Sequence, residues 1–350
     1  MSLFTRAAGR IALTHVGRVT PVEPSSATGL VDQVYRQVER DFGMLAPPVA
    51  LHSPAPAVLA GAWTMLRETL LVTGVVPRAT KEAVAAAVST ANACPYCVEI
   101  HGAALTGLGG GPDAQAIAAG RLDDVADPGL RAIAGWARDP VLRGAVPFPA
   151  TQLPELGGVA LVFHYINRMV SVFLRPSPLP PLPAFTRRGT LWVAGRMMGT
   201  FARREAAPGA SLDLLPAAPV PPDLAWAGQT RIADAFARAG AAVEEAAVPV
   251  VPERIRYLLL TRLSEWDGSP PGVSASWADA ALAGVPDDEV AVGRLVLLTA
   301  QSAYQVGDRV VGAFREGDPR DASLVAAVSW AALTAARCIG ARLPDGAPAV

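Results

Sequence analysis

Lysine is almost missing from this chain. Lys81 is the only one among 30 basic residues in 350, and the formal net charge is −1. No basic surface is available for a polyanion, which excludes a general nucleic-acid binder. We read the lysine shortage as a matter of composition, not as a site. Cysteine is also scarce, with Cys94, Cys97 and Cys338 and no fourth partner. Three cysteines do not make the disulfide framework of a small secreted domain. The stretch Met1–Arg10 lacks the apolar segment and cleavage pattern of a secretory signal, so the cytoplasm is the expected compartment. Long uninterrupted apolar runs are absent as well. The stretch 157–174 is broken by His164, Asn167 and Arg168, which predicts a buried amphipathic helix and no membrane span.

What the chain has in quantity is alanine and leucine, within an apolar share of 51%. That composition favours helices over sheets and predicts an all-α fold. The length predicts two domains. A mixed segment covers 1–27, and a helical domain with apolar residues spaced at three and four covers 28–175. The stretch 176–222 is linker-like, with the proline-rich run Arg175–Pro183 at its start and a helical piece around Leu191–Arg204. A second helical domain covers 223–350, with helices expected over 224–247, 252–266, 277–282, 287–314 and 322–340. In the first domain, Gly107–Gly111 is expected to be a loop.

The chemistry concentrates in Asn92-Ala-Cys-Pro-Tyr-Cys-Val-Glu-Ile-His101. Proline is poor inside a helix but well placed in its first turn, so Pro95 predicts a helix start with Cys94 as the N-cap. The two sulfurs then lie at the positive end of a helix dipole, which favours thiolate over thiol. At about 100° per residue, Cys94, Cys97 and His101 share one stripe. A thiolate, a second thiol within disulfide reach and an imidazole on one face make a redox or nucleophilic site. Upstream, Pro77–Ser89 reads as a separate helix with Thr80 as a plausible cap. Glu82 lies on it, twelve residues before Cys94. A bend between the helices is needed to bring that carboxylate to His101, where it orients the ring and raises its basicity.

The spacing Glu82, eleven residues, Cys94-x-x-Cys97, three residues, His101 resembles the signature of the AhpD-like alkylhydroperoxidases, of the carboxymuconolactone decarboxylase superfamily. The likeness extends to Arg78-Ala-Thr-Lys-Glu82 before the motif and Phe163–Val170 after it, and covers about residues 30–175. It implies a helical core and reduction of alkyl hydroperoxides or hydrogen peroxide by the cysteine pair. Cys97 matches the peroxidatic cysteine, Cys94 the resolving one, and Glu82 with His101 the proton relay. No bound cofactor or metal is implied. The implied partners are a hydroperoxide substrate, an external dithiol donor (a dihydrolipoyl group or a thioredoxin-like protein) and further copies of the chain. Some members carry a histidine between the cysteines, where this chain has Tyr96. Tyr96 and His164 are candidates for the substrate pocket.

Three alternatives stand beside this reading. Cys-Pro-Tyr-Cys is also a glutaredoxin-like motif, but that fold needs a strand ahead of it, and here an Ala-rich helix precedes it. A non-redox lactone decarboxylase needs no paired cysteines. Zinc lacks a fourth ligand close in sequence. The remaining histidines, His15 and His52, are expected to cap or face solvent, and Cys338 to be a small buried residue. Finally, Ser302-Ala-Tyr-Gln-Val306 can be laid on Cys94–Val98, with Ser302, Gln305 and Arg309 in place of Cys94, Cys97 and His101. The second half is therefore read as a degenerate tandem copy that lost the chemistry.

Overall fold

The computed structural model describes residues 13–177 and 199–345. The proline-rich run beyond residue 177, most of the helical piece expected over Leu191–Arg204 and the first ten residues lie outside the described residues. Among the described residues the fold is all-α, with two isolated bridges (Val16 with Leu174, Val72 with Ala206) and no strand. In the first half, besides a single turn at Pro47–Ala50, the helices are α1 Gly29–Phe42, α2 Pro56–Leu66, α3 Arg78–Ala91, α4 Pro95–Leu105, α5 Gly111–Ala118, α6 Pro128–Arg138 and α7 Leu153–Phe173. The second half adds α8 Arg231–Ala247, α9 Glu253–Ser264, α10 Ser276–Ala281, α11 Asp287–Ser302, α12 Asp308–Gly317 and α13 Asp321–Gly340.

Their boundaries follow from local chemistry. Helix α1 stops where Gly43 takes φ 90°, a left-handed cap that its missing Cβ makes cheap. Asp127 and Thr230 cap α6 and α8 through their side chains. Pro77 and Pro286 sit at the N-caps of α3 and α11, so α3 begins at Arg78 with Thr80 already inside it. Two expectations are corrected. The glycine-rich stretch after the cysteine helix is a kink more than an open loop: Thr106–Gly110 starts as a widened helical turn, and left-handed Gly109 (φ 100°) and Gly111 (φ 48°) break it before α5. The helix expected over 287–314 is broken into α11 and α12, because the backbone at Ser302 (φ −157°, ψ 56°) leaves the helical region.

Helix α7 and helix α13 are the apolar centre. Both are long and apolar enough to cross a membrane, yet 94% and 78% of their most apolar windows are buried inside the protein. A soluble core helix passes the same length test. They pack on each other, and a Cβ at Gly340 would run into Leu161, so the close crossing depends on glycine there. Helix α2 packs on α8 in the same way, with Gly61 set against Ala239. One continuous hydrophobic core joins Trp63, Leu59 and Phe163 from the first half with Phe236, Leu298 and Leu333 from the second. Helix α3 lies between α4, α6 and α7, which fixes the element carrying Glu82 against the element carrying the cysteines.

Buried polar groups tie these layers together. Lys81 is 1% exposed; its ammonium meets Glu155 at 2.5 Å and the Val72 carbonyl at 3.0 Å. Burial pulls the Lys81 pKa down and Glu155 pulls it back up, so the ion pair is what allows a lysine here. His52, expected near solvent, is fully buried instead: its Nε2 meets the Tyr165 hydroxyl at 2.8 Å, and that hydroxyl donates to Ser329 at 3.2 Å. Position alone could not reveal this, because the partners come from α7 and α13.

Burial holds His52 neutral, with its pKa lowered from 6.5 to about 4 despite the Val49 and Pro48 carbonyls that favour the cation. Below about pH 6.5 the unfolded chain takes up a proton that the folded chain refuses until about pH 4. Stability therefore falls as pH drops through that window, by about 3 kcal/mol from this group. His164, also held well below its ordinary value by burial, adds in the same direction. Denaturant melts at neutral and mildly acid pH check this, and a His52→Gln variant should show a flatter pH dependence than the parent.

Candidate active site

The site is made where α3 ends and α4 begins. Asn92 closes α3, and Ala93 takes a left-handed φ of 50°, which turns the chain sharply. The Cys94 N–H donates to the Ser89 carbonyl at 2.9 Å, tying the turn back onto α3. Pro95 then opens α4 with Cys94 as its N-cap, as the sequence predicts. The two sulfurs are 2.8 Å apart, both cysteines are free, and they are only 1% and 2% exposed.

The bend between α3 and α4 does what the relay requires. Glu82 Oε2 lies 2.7 Å from His101 Nδ1, and Glu82 Oε1 accepts from Arg78 Nε at 2.8 Å. Burial alone would raise the Glu82 carboxyl, but Arg78 and His101 outweigh it and hold it at about 2. Glu82 is thus an anion whose Oε2 orients the imidazole of His101. Phe163 from α7 stands edge-on to His101, with ring centroids 4.4 Å apart, and limits how the imidazole can turn.

Two influences oppose each other at the sulfurs. The helix-end argument favours a depressed thiol pKa, while burial, with Cys94 alongside, pushes the Cys97 thiol well up. Direction weakens the first: Cys94 caps α4 by backbone only, and its sulfur faces Cys97 instead of the unpaired helix N–H groups.

Of the two pocket candidates, Tyr96 is buried beside both sulfurs, and its hydroxyl pKa is raised, first by burial and then by their charge. His164 is fully buried, and its Nδ1 pairs with Asn92 Nδ2 at 3.1 Å, so it lies behind the cysteine turn. Sequence reading did not single out Asn92, Asn167 or Ser89, which form one hydrogen-bonded chain there. Their only sequence signal was three polar residues on otherwise apolar helix faces. In the second half, Ser302 is buried with no hydrogen-bond partner, Gln305 is engaged with Trp277, and Arg309 is exposed, so these positions gather no comparable cluster. Among the described residues no three metal-ligating side chains converge.

A close thiol pair beside a carboxylate-held imidazole, on an all-helical scaffold, defines a candidate thiol redox centre. The chain belongs to the carboxymuconolactone decarboxylase family, in its AhpD-like alkylhydroperoxidase group. The model of the family described as "Carboxymuconolactone decarboxylase family" matches residues 57–139, which include Glu82, both cysteines and His101. The chain is 39% identical over 331 residues to "Alkyl hydroperoxide reductase Rv2159c" of Mycobacterium tuberculosis, covering 93% of this chain and 94% of that protein. A crystal structure of an "alkylhydroperoxidase AhpD core", an uncharacterized peroxidase-related protein from Ralstonia eutropha JMP134, aligns at 20% identity and a TM-score of 0.41. That alignment covers 52% of this chain and 97% of that one.

Proposed function

We infer that this AhpD-like enzyme reduces alkyl hydroperoxides or hydrogen peroxide through Cys97 and Cys94, with His101 and Glu82 moving the protons. The observation that carries the reading is the 2.8 Å sulfur pair set beside the 2.7 Å Glu82–His101 contact. The name of the mycobacterial relative, an alkyl hydroperoxide reductase, points to the same substrate class.

The chemistry balances with two thiols and one peroxide. Cys97, as thiolate, attacks one peroxide oxygen; the O–O bond breaks and Cys97 becomes a sulfenic acid. The departing alkoxide or hydroxide takes a proton from His101, which the Glu82 carboxylate holds in place. Cys94 then attacks the Cys97 sulfur and expels water, which leaves a Cys94–Cys97 disulfide. An external dithiol reopens it by exchange, and a dihydrolipoyl group or a thioredoxin-like protein fits that role in a reducing compartment such as the cytoplasm. The raised thiol pKa gives the base a task, because a protonated Cys97 must be deprotonated before attack. Both sulfurs are buried, so a peroxide must enter the packed α3–α4 turn to reach them.

The test is consumption of an organic hydroperoxide by the full chain, supplied separately with a reduced dihydrolipoyl protein and a reduced thioredoxin-like protein. Catalytic, donor-dependent consumption with at least one of them is expected. No consumption above the protein-free rate with either donor, or with a small dithiol, overturns the reading.

A further inference from the structure

The turn that carries Cys94 is held from behind by a connected set of hydrogen bonds. The Cys94 N–H donates to the Ser89 carbonyl at 2.9 Å, and the Ser89 hydroxyl donates to the Ala85 carbonyl at 2.6 Å. With its hydrogen engaged there, that hydroxyl accepts from Asn167 Nδ2 at 3.0 Å. The Asn167 oxygen is therefore turned the other way and accepts from Asn92 Nδ2 at 3.0 Å. The second hydrogen of the Asn92 NH2 goes to His164 Nδ1 at 3.1 Å. Burial keeps His164 neutral, so a ring nitrogen is free to accept. Asn92 thus turns both amide hydrogens to α7, two residues before Cys94, with the left-handed Ala93 (φ 50°) between them. An alanine holds that conformation only where its surroundings fix it. Ser89, His164 and Asn167 are fully buried, so water does not compete for these contacts.

We propose that Asn92 is a positioning residue: by tying the end of α3 to α7 it holds Cys94 against Cys97, so that the disulfide closes before a second peroxide attacks. The inference rests on the reading of Cys97 and Cys94 given above, and it adds a residue outside the cysteine, histidine and glutamate signature. Two fates compete for the Cys97 sulfenic acid. In one, the Cys94 thiol attacks the Cys97 sulfur; the S–O bond breaks, and hydroxide leaves as water with the Cys94 proton. In the other, the sulfenic sulfur takes an oxygen from a second hydroperoxide. The O–O bond breaks, an alcohol or water leaves, and Cys97 becomes a sulfinic acid that a dithiol does not reduce. The first fate is intramolecular, and its rate depends on the 2.8 Å approach of the two sulfurs. Cys94 lies outside α4 and caps it by backbone alone, so its sulfur follows the turn, and the turn follows Asn92.

The experiment uses the full chain carrying Cys338→Ser, where Cys94 and Cys97 are the only thiols. Its first arm equilibrates the pair in buffers of reduced and oxidised glutathione and reads the dithiol-to-disulfide ratio by alkylation and mass spectrometry. Asn92→Ala should shift that ratio roughly tenfold or more toward the dithiol, since a looser turn lowers the effective concentration of Cys94 at Cys97. The second arm supplies cumene hydroperoxide in rising excess and counts Cys97 sulfinic acid per peroxide consumed. Asn92→Ala should raise that count by roughly tenfold or more as well. Asn167→Ala, which leaves Asn92 its His164 contact, should move both readings the same way by less. A residue with only a structural role would lower the melting temperature and leave both readings alone. An unmoved glutathione ratio in folded Asn92→Ala overturns the proposal. Where peroxide oxidises the parent, an unmoved sulfinic count overturns it too. If Asn92→Ala does not fold by circular dichroism, Asn167→Ala decides by the same two readings. The first arm needs no peroxide, so a shifted ratio in a chain that peroxide does not oxidise would sink the peroxidase reading and leave the role of Asn92 standing.

Discussion

Replacing Cys97 with serine should stop hydroperoxide reduction. A serine hydroxyl is not ionised at neutral pH and cannot form a sulfenic acid, so neither the O–O cleavage nor the later disulfide has a route. The expected loss is at least about 10³-fold in turnover, the scale on which a deleted nucleophile acts. The fold should survive. Serine is close to cysteine in size, and burying its hydroxyl in place of the thiol should cost no more than about 1–3 kcal/mol. Circular dichroism and a thermal melt establish that the variant is folded; donor-coupled hydroperoxide consumption then reads the effect. A folded Cys97→Ser chain that turns over at the parent rate would remove Cys97 from the mechanism.

Glu82→Gln should have the second largest effect. In the parent, Glu82 Oε2 faces His101 Nδ1 at 2.7 Å and Oε1 accepts from Arg78 at 2.8 Å. A glutamine that keeps its oxygen on Arg78 must turn its NH2 toward His101. Nδ1 then becomes an acceptor, the proton moves to Nε2, and the imidazolium loses its counter-charge. The ring is misassigned as a proton carrier, while both sulfurs keep their places. Loss of positioned acid–base catalysis predicts a fall of about 10²–10⁴-fold in turnover. Sulfenic acid formation should slow more than reopening of a preformed disulfide by the donor. A destabilisation of about 1–3 kcal/mol accompanies it, because Arg78 now meets a neutral partner. Single-turnover oxidation measured against the parent checks the claim, and a variant oxidised as fast as the parent would show that Glu82 has no part in proton delivery.

How much of this site the sequence carries depends on the range of each contact. Cys94, Cys97 and His101 follow one another at helical spacing, and Pro95 marks the helix start, so their common face is legible from local rules. Glu82 is legible only through the signature. Twelve residues of straight helix would point it away from Cys94, and nothing about an alanine announces the left-handed turn at Ala93 that bends the chain. The thiol environment is only half legible, since the helix-end rule counts a nearby positive pole but not the burial that pushes the Cys97 thiol up. Asn92 and Asn167 are 75 residues apart, and only packing of α3 against α7 brings them together. Among the helices, the apolar stretches gave α7 and α13 within a few residues, while the break after Ser302 had no proline or glycine at the point where the backbone turns. Buried His52 was invisible for the same reason as Asn167: its partner Tyr165 sits 113 residues away.

The account stands on one bond that forms between two named sulfurs. The direct measurement adds one equivalent of an organic hydroperoxide to the fully reduced chain, counts the remaining thiols, and maps the disulfide by mass spectrometry of proteolytic fragments. We expect two thiols lost together, a Cys94–Cys97 disulfide, an unmodified Cys338, and restoration of both thiols by a dithiol. Peroxide consumed with all three thiols intact, or a disulfide that joins Cys338 to either partner, would contradict it.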